Sequence, residues 1–277
     1  MFLNGFLLAS LFYFHTESSY EDALFGSIKR DIDSRLTDLD TQDSIVVKAM
    51  RTCNYLMINR APIFMNGNLS GFKADVIHPA SVDLMTTRGA CGSYAEVLAR
   101  VLQNYNFPIR IAQMKAHGIF ADHNIVEVKT DKGWVVLDAT FNAYFIRPDH
   151  RLASFDDVKN DWPYYSKQVP PGYDLSYKYE DVRYSNWTKI PVVFPAIKKV
   201  LTLFIGQENI KTFCIRIFFL RMYELYFYIT LLIYIPVFIF ITRRFIRTKI
   251  IPDNNTPLTF RNIIKYAKPP LGRVQSS

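Results

Sequence analysis

The chain has 277 residues, enough for one or two domains and a sizeable core, with the 49% hydrophobic and 21% charged content of an ordinary globular protein. Three cysteines (Cys53, Cys91, Cys214) are too few for a disulfide framework, and no Cys/His pair has zinc-ligand spacing, so neither a structural metal nor a cofactor is expected. The formal charge of +8 suggests nucleic acid only until it is located: residues 243–277 hold eight Lys/Arg and one acid, Asp253, and the rest is nearly neutral.

The N-terminal stretch "MFLNGFLLASLFYF" is uncharged and apolar from Met1 to Phe14. It is short for a membrane span and lacks the basic leader of a signal peptide. An uncleaved anchor, a weak signal and a first core helix all fit it. From Ser18 to Arg60 the pattern is helical. Ile45, Val46, Ala49, Cys53, Leu56 and Met57 form one stripe at i, i+3, i+4 and i+7, behind a cap at Asp40 or Thr41. Cys53 lies on that stripe and is predicted to be core. Pro62, Asn66-Gly67 and Gly71 mark residues 59–80 as loop.

Next comes "RGACGSYAEVLARVLQNYN", Arg88 to Asn106. Cys91 opens a helix in which Tyr94, Val97, Leu98, Val101, Leu102 and Tyr105 recur at helical spacing. Pro108 disfavours helix at Phe107, so the helix should stop at 104–106. "IRIAQM" then reads as a strand. "HNIVEVKTDKGWVVLDAT", His123 to Thr140, has two β-branched runs around Thr130-Asp131-Lys132-Gly133 and reads as a hairpin. A turn centred between Thr130 and Asp131 would set Val128 opposite Gly133, Ile125 opposite Val136 and His123 opposite Asp138. Directly opposed residues have Cβ atoms about 4.5–5.5 Å apart. Trp134 is expected to pack on the sheet.

Residues 147–195 are rich in Tyr, Pro, Asp and Trp without a clear period. They are expected to wrap the core and to wall one side of a groove. "VLTLFIGQENIKTFCIRIFFLRMYEL" carries spaced cations on an apolar background, the pattern of an interfacial or partly buried amphipathic helix, with Cys214 packed or in lipid contact. "LYFYITLLIYIPVFIFIT", Leu225 to Thr242, has 18 residues without a charge. At about 1.5 Å per residue it spans roughly 27 Å, enough to cross a bilayer. Arg243, Arg244, Arg247 and Lys249 follow at once and suit an anionic leaflet. The positive-inside rule then favours a cytoplasmic C-terminus and an extracytoplasmic body. Sequons stand at Asn68, Asn186 and Asn254.

Three residues combine into one chemistry. A thiol at a helix start feels the positive end of the helix dipole, which favours the thiolate. A histidine takes the thiol proton, and a carboxylate fixes the imidazole and stabilises its charged form. Backbone N–H groups at the helix start, that of Cys91 included, can hold a developing oxyanion. Gly89, Ala90 and Gly92 keep the approach open. The candidates are Cys91, His123 and Asp138, with His117 the rival histidine. His78 and His150 are given no role.

At "RGACGSYAEVLARVLQNYNFPIRI", "HNIVEV" and "GWVVLDAT" the sequence resembles the transglutaminase-like superfamily of papain-like cysteine enzymes. The resemblance covers about residues 80–145. It implies an α+β fold with the nucleophile helix packed on an antiparallel sheet, and it gives Cys91, His123 and Asp138 the roles of nucleophile, base and orienting carboxylate. Asp138-Ala139-Thr140 departs from the Asp-Pro-Thr common in the family, and Asn124 stands where a small residue is usual. On this reading the chain comprises an N-terminal hydrophobic segment (1–17), a transglutaminase-like catalytic domain (18–146), an aromatic, Pro-rich extension (147–200), an amphipathic interfacial segment (201–222), a transmembrane helix (223–242) and a basic cytoplasmic tail (243–277). The implied activity is acyl transfer through a Cys91 thioester. The acceptor is water in a peptidase or amidase and an amine in a transglutaminase. The expected partners are a protein or peptide substrate and the lipid bilayer, not nucleic acid. The alternative is a catalytically silent scaffold of the same fold, acting as a membrane-anchored binding or assembly protein.

Overall fold

A computed structural model of the protein describes residues 2–64, 70–116 and 118–247. His117, the Asn66-Gly67 turn, the sequons at Asn68 and Asn254 and the basic tail past Arg247 lie outside the described residues. The rest divides into two contact units, one running Phe14–Tyr226 and the other joining the start of α1, through Tyr13, with the chain from Phe227.

Helix α1 runs without a break over Phe2–Asp33, so the apolar N-terminal segment is the first part of a longer helix. Its later turns place Phe25, Ile28 and Ile32 in the core. Helix α2, Gln42–Ile58, is capped by Thr41, whose side chain accepts the Ser44 N–H. Its buried hydrophobic face is Val46, Ala49, Met50, Cys53 and Met57; of the predicted stripe, Ile45 and Leu56 are only partly buried, and Met50 joins the face. Short helices α3 (Ala61–Phe64) and α4 (Ala80–Thr86) follow. Helix α5, Cys91–Gln103, buries Val97, Leu98, Val101 and Leu102 completely. Each such side chain contributes about 1.5–3 kcal/mol of burial free energy. The chain leaves α5 through Asn106, at φ 59°, and Pro108 leads directly into the sheet.

The sheet is antiparallel, ordered β4-β3-β2-β1-β5. Its strands are β1 Ile109–Ala116, β2 Ile119–Thr130, β3 Gly133–Asp138, β4 Ala143–Tyr144 and β5 Val182–Arg183. One face carries Ile109, Ile111, Val126, Val128, Val135 and Leu137 and packs with α2 and α5 in the main core. The other carries Ala112, Met114, Ile125 and Val136 and is covered by an aromatic cluster. Alternation along each strand sorts these two sets. The chain is therefore α+β, with the Cys91 helix on an antiparallel sheet.

The hairpin register differs from the expectation. Thr130 pairs with Gly133, Glu127 with Val136 and Val126 with Leu137. The turn is Asp131-Lys132, one residue later than predicted, and every partner moves by two. Gly133, at φ 124°, admits the short turn. His123 and Asp138 are therefore diagonal neighbours, not directly opposed. A shift of two keeps both on the same face. A second irregularity lies beside His123. Met114 pairs with His123 but Lys115 with Phe120, so β2 carries two extra residues just before the histidine.

The extension after β4 is ordered. Helix α6, Phe155–Asn160, starts with a capping box between Ser154 and Asp157. Helix α7 (Trp162–Tyr165) follows, and buried Tyr165, Tyr173 and Tyr179 pack with Phe145 on the second sheet face. The expected wrapping of the core takes this form. Trp134 lies under Arg110, whose guanidinium is 3.8 Å from its ring centroid. Helix α8, Val193–Thr212, has a non-helical residue at Gly206, φ 84°. A 3₁₀ turn at Ile215–Phe219 then docks on the body. The Cys214 thiol is buried against the Ile111 backbone at 3.4 Å, and the Ile215 N–H donates to Ser185 Oγ at 2.9 Å. This part of the amphipathic segment is packed protein.

Helix α9, Met222–Phe245, is the one helix among the described residues long and apolar enough to cross a membrane, with mean hydropathy 2.2. Pro236 removes one helical hydrogen bond, which membrane helices tolerate. Arg243 and Arg244 close its last turn.

Candidate active site

Cys91 is the first residue of α5 and is half-buried. The turn before it is forced. Ala90 adopts φ 46°, ψ −124°, an unfavourable region for a residue with a Cβ. Ser93 holds that turn: its Oγ accepts the Gly89 N–H at 2.8 Å and donates to the buried Asp83 carboxylate at 2.5 Å. A Cβ on Gly89 would lie 2.7 Å from Ser93 Oγ, so glycine is needed there for this contact. Asp83 also meets His78 Nε2 at 3.3 Å, and this pair pushes the His78 imidazole up to about 9. His78 thus has a structural partner, although nothing in its sequence context announces one.

His123 is 1% exposed, and its Nε2 lies 2.6 Å from Asp138 Oδ2. The carboxylate only accepts, so Nε2–H donates to it. Asp138 is 0% exposed and is held from its other oxygen, which accepts the N–H groups of Thr140 at 3.1 Å and Phe141 at 3.3 Å. The Tyr173 hydroxyl donates to that of Tyr179 at 3.2 Å. Burial and the nearby Tyr179 and Asp138 groups raise the Tyr173 hydroxyl far above its ordinary value, so it stays neutral. Tyr177 stacks on the imidazole with centroids 4.4 Å apart and planes 7° from parallel, and Phe141 closes another side at 5.6 Å.

With Nε2 engaged by Asp138, Nδ1 is the ring nitrogen left for the thiol, and the imidazole and thiol are near enough to favour each other's charged forms. Burial pulls the imidazole down, but Asp138 and Cys91 outweigh it and raise it to about 9. Burial pushes the thiol up, yet hydrogen bonds from His123 and Asn124 lower it below its ordinary value. The other two cysteines behave oppositely. Burial raises Cys53 to about 12 and Cys214 above its usual range, as expected for core thiols. A thiolate–imidazolium pair backed by a carboxylate can attack a carbonyl and return the proton to a leaving group.

Cys91, His123 and Asp138 are thus brought together. Three participants carry little sequence signal. Tyr177 and Tyr173 come from a stretch without period. Asn124, beside His123, donates its amide to Cys91 Sγ at 3.3 Å and accepts from Arg216 at 2.5 Å. Its neighbour relation to His123 was the one available hint. Among the described residues no group of three or more His, Cys, Asp or Glu side chains is arranged to hold a metal ion. Comparison with protein-family models, curated proteins and solved structures finds no match.

Proposed function

We propose that the protein is a membrane-anchored cysteine acyl-transfer enzyme built on a transglutaminase-like, papain-like core, acting through Cys91, His123 and Asp138. The observation that carries this is the thiol at a helix start, lowered by a buried histidine that is itself locked to Asp138 at 2.6 Å. Cys91 Sγ adds to an amide or ester carbonyl, and the carbonyl π pair moves to oxygen. Collapse expels the amine or alcohol, protonated by His123, and leaves a thioester. Water or an amine then takes the acyl group, which makes the protein a peptidase or amidase, or a transglutaminase. The half-buried thiol at the start of α5 leaves room for a protein or peptide chain as the substrate class. Helix α9 anchors the body, and Arg243 and Arg244 at its end support a cytoplasmic C-terminus with the body on the other side.

Iodoacetamide at pH 6 tests the nucleophile. Cys91 should be alkylated at least tenfold faster than the buried Cys53, and His123→Ala should slow Cys91 about tenfold while leaving Cys53 unchanged. Equal rates for the two cysteines in the wild type would overturn the reading.

A further inference from the structure

We propose that the Asn124 carboxamide is the side-chain donor to the oxyanion formed at Cys91, and that Arg216 fixes its orientation. The proposal rests on Cys91 being the nucleophile and goes beyond it by assigning the second donor. Alternation along β2 sends Asn124 to the sheet face opposite His123, the face on which α5 packs. There the amide bridges two groups. Its Nδ2 donates to Cys91 Sγ at 3.3 Å, and its Oδ1 accepts from Arg216 Nη1 at 2.5 Å. Arg216 Nη2 donates to Glu96 Oε1 at 2.8 Å, on the same helix as Cys91.

The orientation follows from hydrogen-bond chemistry. A guanidinium has only donors, so the oxygen of Asn124 must face Arg216 and the nitrogen must face the sulfur. Flipping the amide would set donor against donor at Arg216 and break a charge-assisted bond. Arg216 is itself held, because its 3₁₀ turn is anchored through Ser185 and Cys214. Asn124 is 8% exposed, so few water molecules compete for its amide.

A donor aimed at the sulfur is also close to where charge appears next. When Sγ bonds to the carbonyl carbon, the oxyanion forms on that carbon, roughly 3 Å from the sulfur and within reach of the same N–H. The charge leaves the thiolate and arrives on oxygen, and the amide serves both states with a small shift. Asn124 thereby touches the reacting atoms and is catalytic, while Arg216 is a positioning residue.

Two probes separate this role from a general effect on the thiol. p-Nitrophenyl acetate acylates the cysteine. The sulfur lone pair forms the C–S bond, an oxyanion forms, and its collapse breaks the C–O bond to release p-nitrophenolate. Water then hydrolyses the thioester to acetate and returns the thiol. Iodoacetamide forms an S–C bond and expels iodide without an oxyanion. In the full-length protein in detergent, Asn124→Ala should slow acylation about 100-fold, while alkylation above pH 9 falls less than threefold. Asn124→Leu, similar in size and uncharged but without the donor, should show the same split. Arg216→Met should slow acylation roughly tenfold by releasing the amide, and Arg216→Lys should recover part of the loss. Continued protection of Cys53 and Cys214 in each variant reports an intact fold, and the Arg216 pair carries the test if either Asn124 variant unfolds. Parallel loss of acylation and alkylation, or no loss of acylation, overturns the proposal while the nucleophile stands. A wild-type Cys91 no more reactive than Cys53 overturns both.

Discussion

Replacing Asp138 by Asn is the sharpest test of the electrostatics. The exchange is nearly isosteric, and the polar contacts dictate how the amide must sit. One carboxylate oxygen accepts the Thr140 and Phe141 N–H groups, so the Asn carbonyl has to take that place. The amide nitrogen then faces His123 Nε2, which must become an acceptor. The ring proton moves to Nδ1, toward the sulfur, and the imidazole can no longer take the thiol proton. The size follows from the histidine. Its ordinary value of 6.5 is raised to about 9 in the fold. At about 1.4 kcal/mol per unit, this is roughly 3.5 kcal/mol of stabilisation of the imidazolium, or about 300-fold in an equilibrium, of which the thiolate fraction at pH 7 lets about 100-fold show in the rate. Asp138→Asn removes the main source of that stabilisation and leaves the burial that opposes it. The assay is the rate of Cys91 alkylation against pH, followed by mass spectrometry. At pH 7 the variant should react about 100-fold more slowly than the wild type, and it should catch up only near the ordinary thiol value of 9.0. Stability has a defined sign as well. The raised histidine contributes fully below about 6.5 and loses its contribution as pH rises through about 9. The lowered thiol contributes fully above its ordinary value and loses its contribution as pH falls through its folded value. Wild-type and variant alkylation profiles with the same midpoint would refute the argument.

Three further outcomes can be measured directly. Tyr177→Leu removes the ring stacked on His123; a loss of about 1 kcal/mol in chemical denaturation is expected, and an unchanged midpoint would exclude the stack as a contributor. Ala90→Gly relieves the φ 46° conformation, worth about 1–3 kcal/mol, against a glycine entropy penalty of about 0.5–1 kcal/mol. The net gain of about 1 kcal/mol should raise Tm by roughly 2–4 °C, and a lower Tm would show that the turn is unstrained. The wild-type chain should resist alkaline carbonate extraction from membranes. Lysines replacing Leu232 and Ile235 in α9, at about 3 kcal/mol each, should release it, and extraction of the wild type would remove the anchor.

Local patterns carried most of the fold. The α2 stripe and the α5 stripe each bury where helical spacing puts them, and the hairpin forms where two β-branched runs flank a turn-rich tetrad. The turn position was not legible to one residue. Thr130, Asp131, Lys132 and Gly133 all suit turns, and the structure places Gly133, at φ 124°, directly after the Asp131-Lys132 turn. The aromatic shell was illegible for a different reason. Tyr173 and Tyr177 lie more than thirty residues past Asp138 in a segment without period, so only tertiary packing brings them back. Arg216 is 92 residues from Asn124 and lies in a stretch whose cations suggest a lipid interface.

The pairing of His123 with Asp138 survived a wrong register because the error was even. A slip of two residues keeps each side chain on its face and moves it along the strand, and diagonal neighbours at about 7–8 Å remain within reach of an imidazole. A slip of one would have put the two residues on opposite faces of the sheet. The contact of Cys91 with both His123 and Asn124 asks more of the backbone. Neighbours in a regular strand point away from each other, so they do not meet at one sulfur. The two extra residues of β2 immediately before His123 break that regularity. Such a bulge bends the strand and increases its twist, which re-aims the side chains beside it. The thiol can then be approached from both sides of one strand, by the imidazole of His123 and by the amide of Asn124.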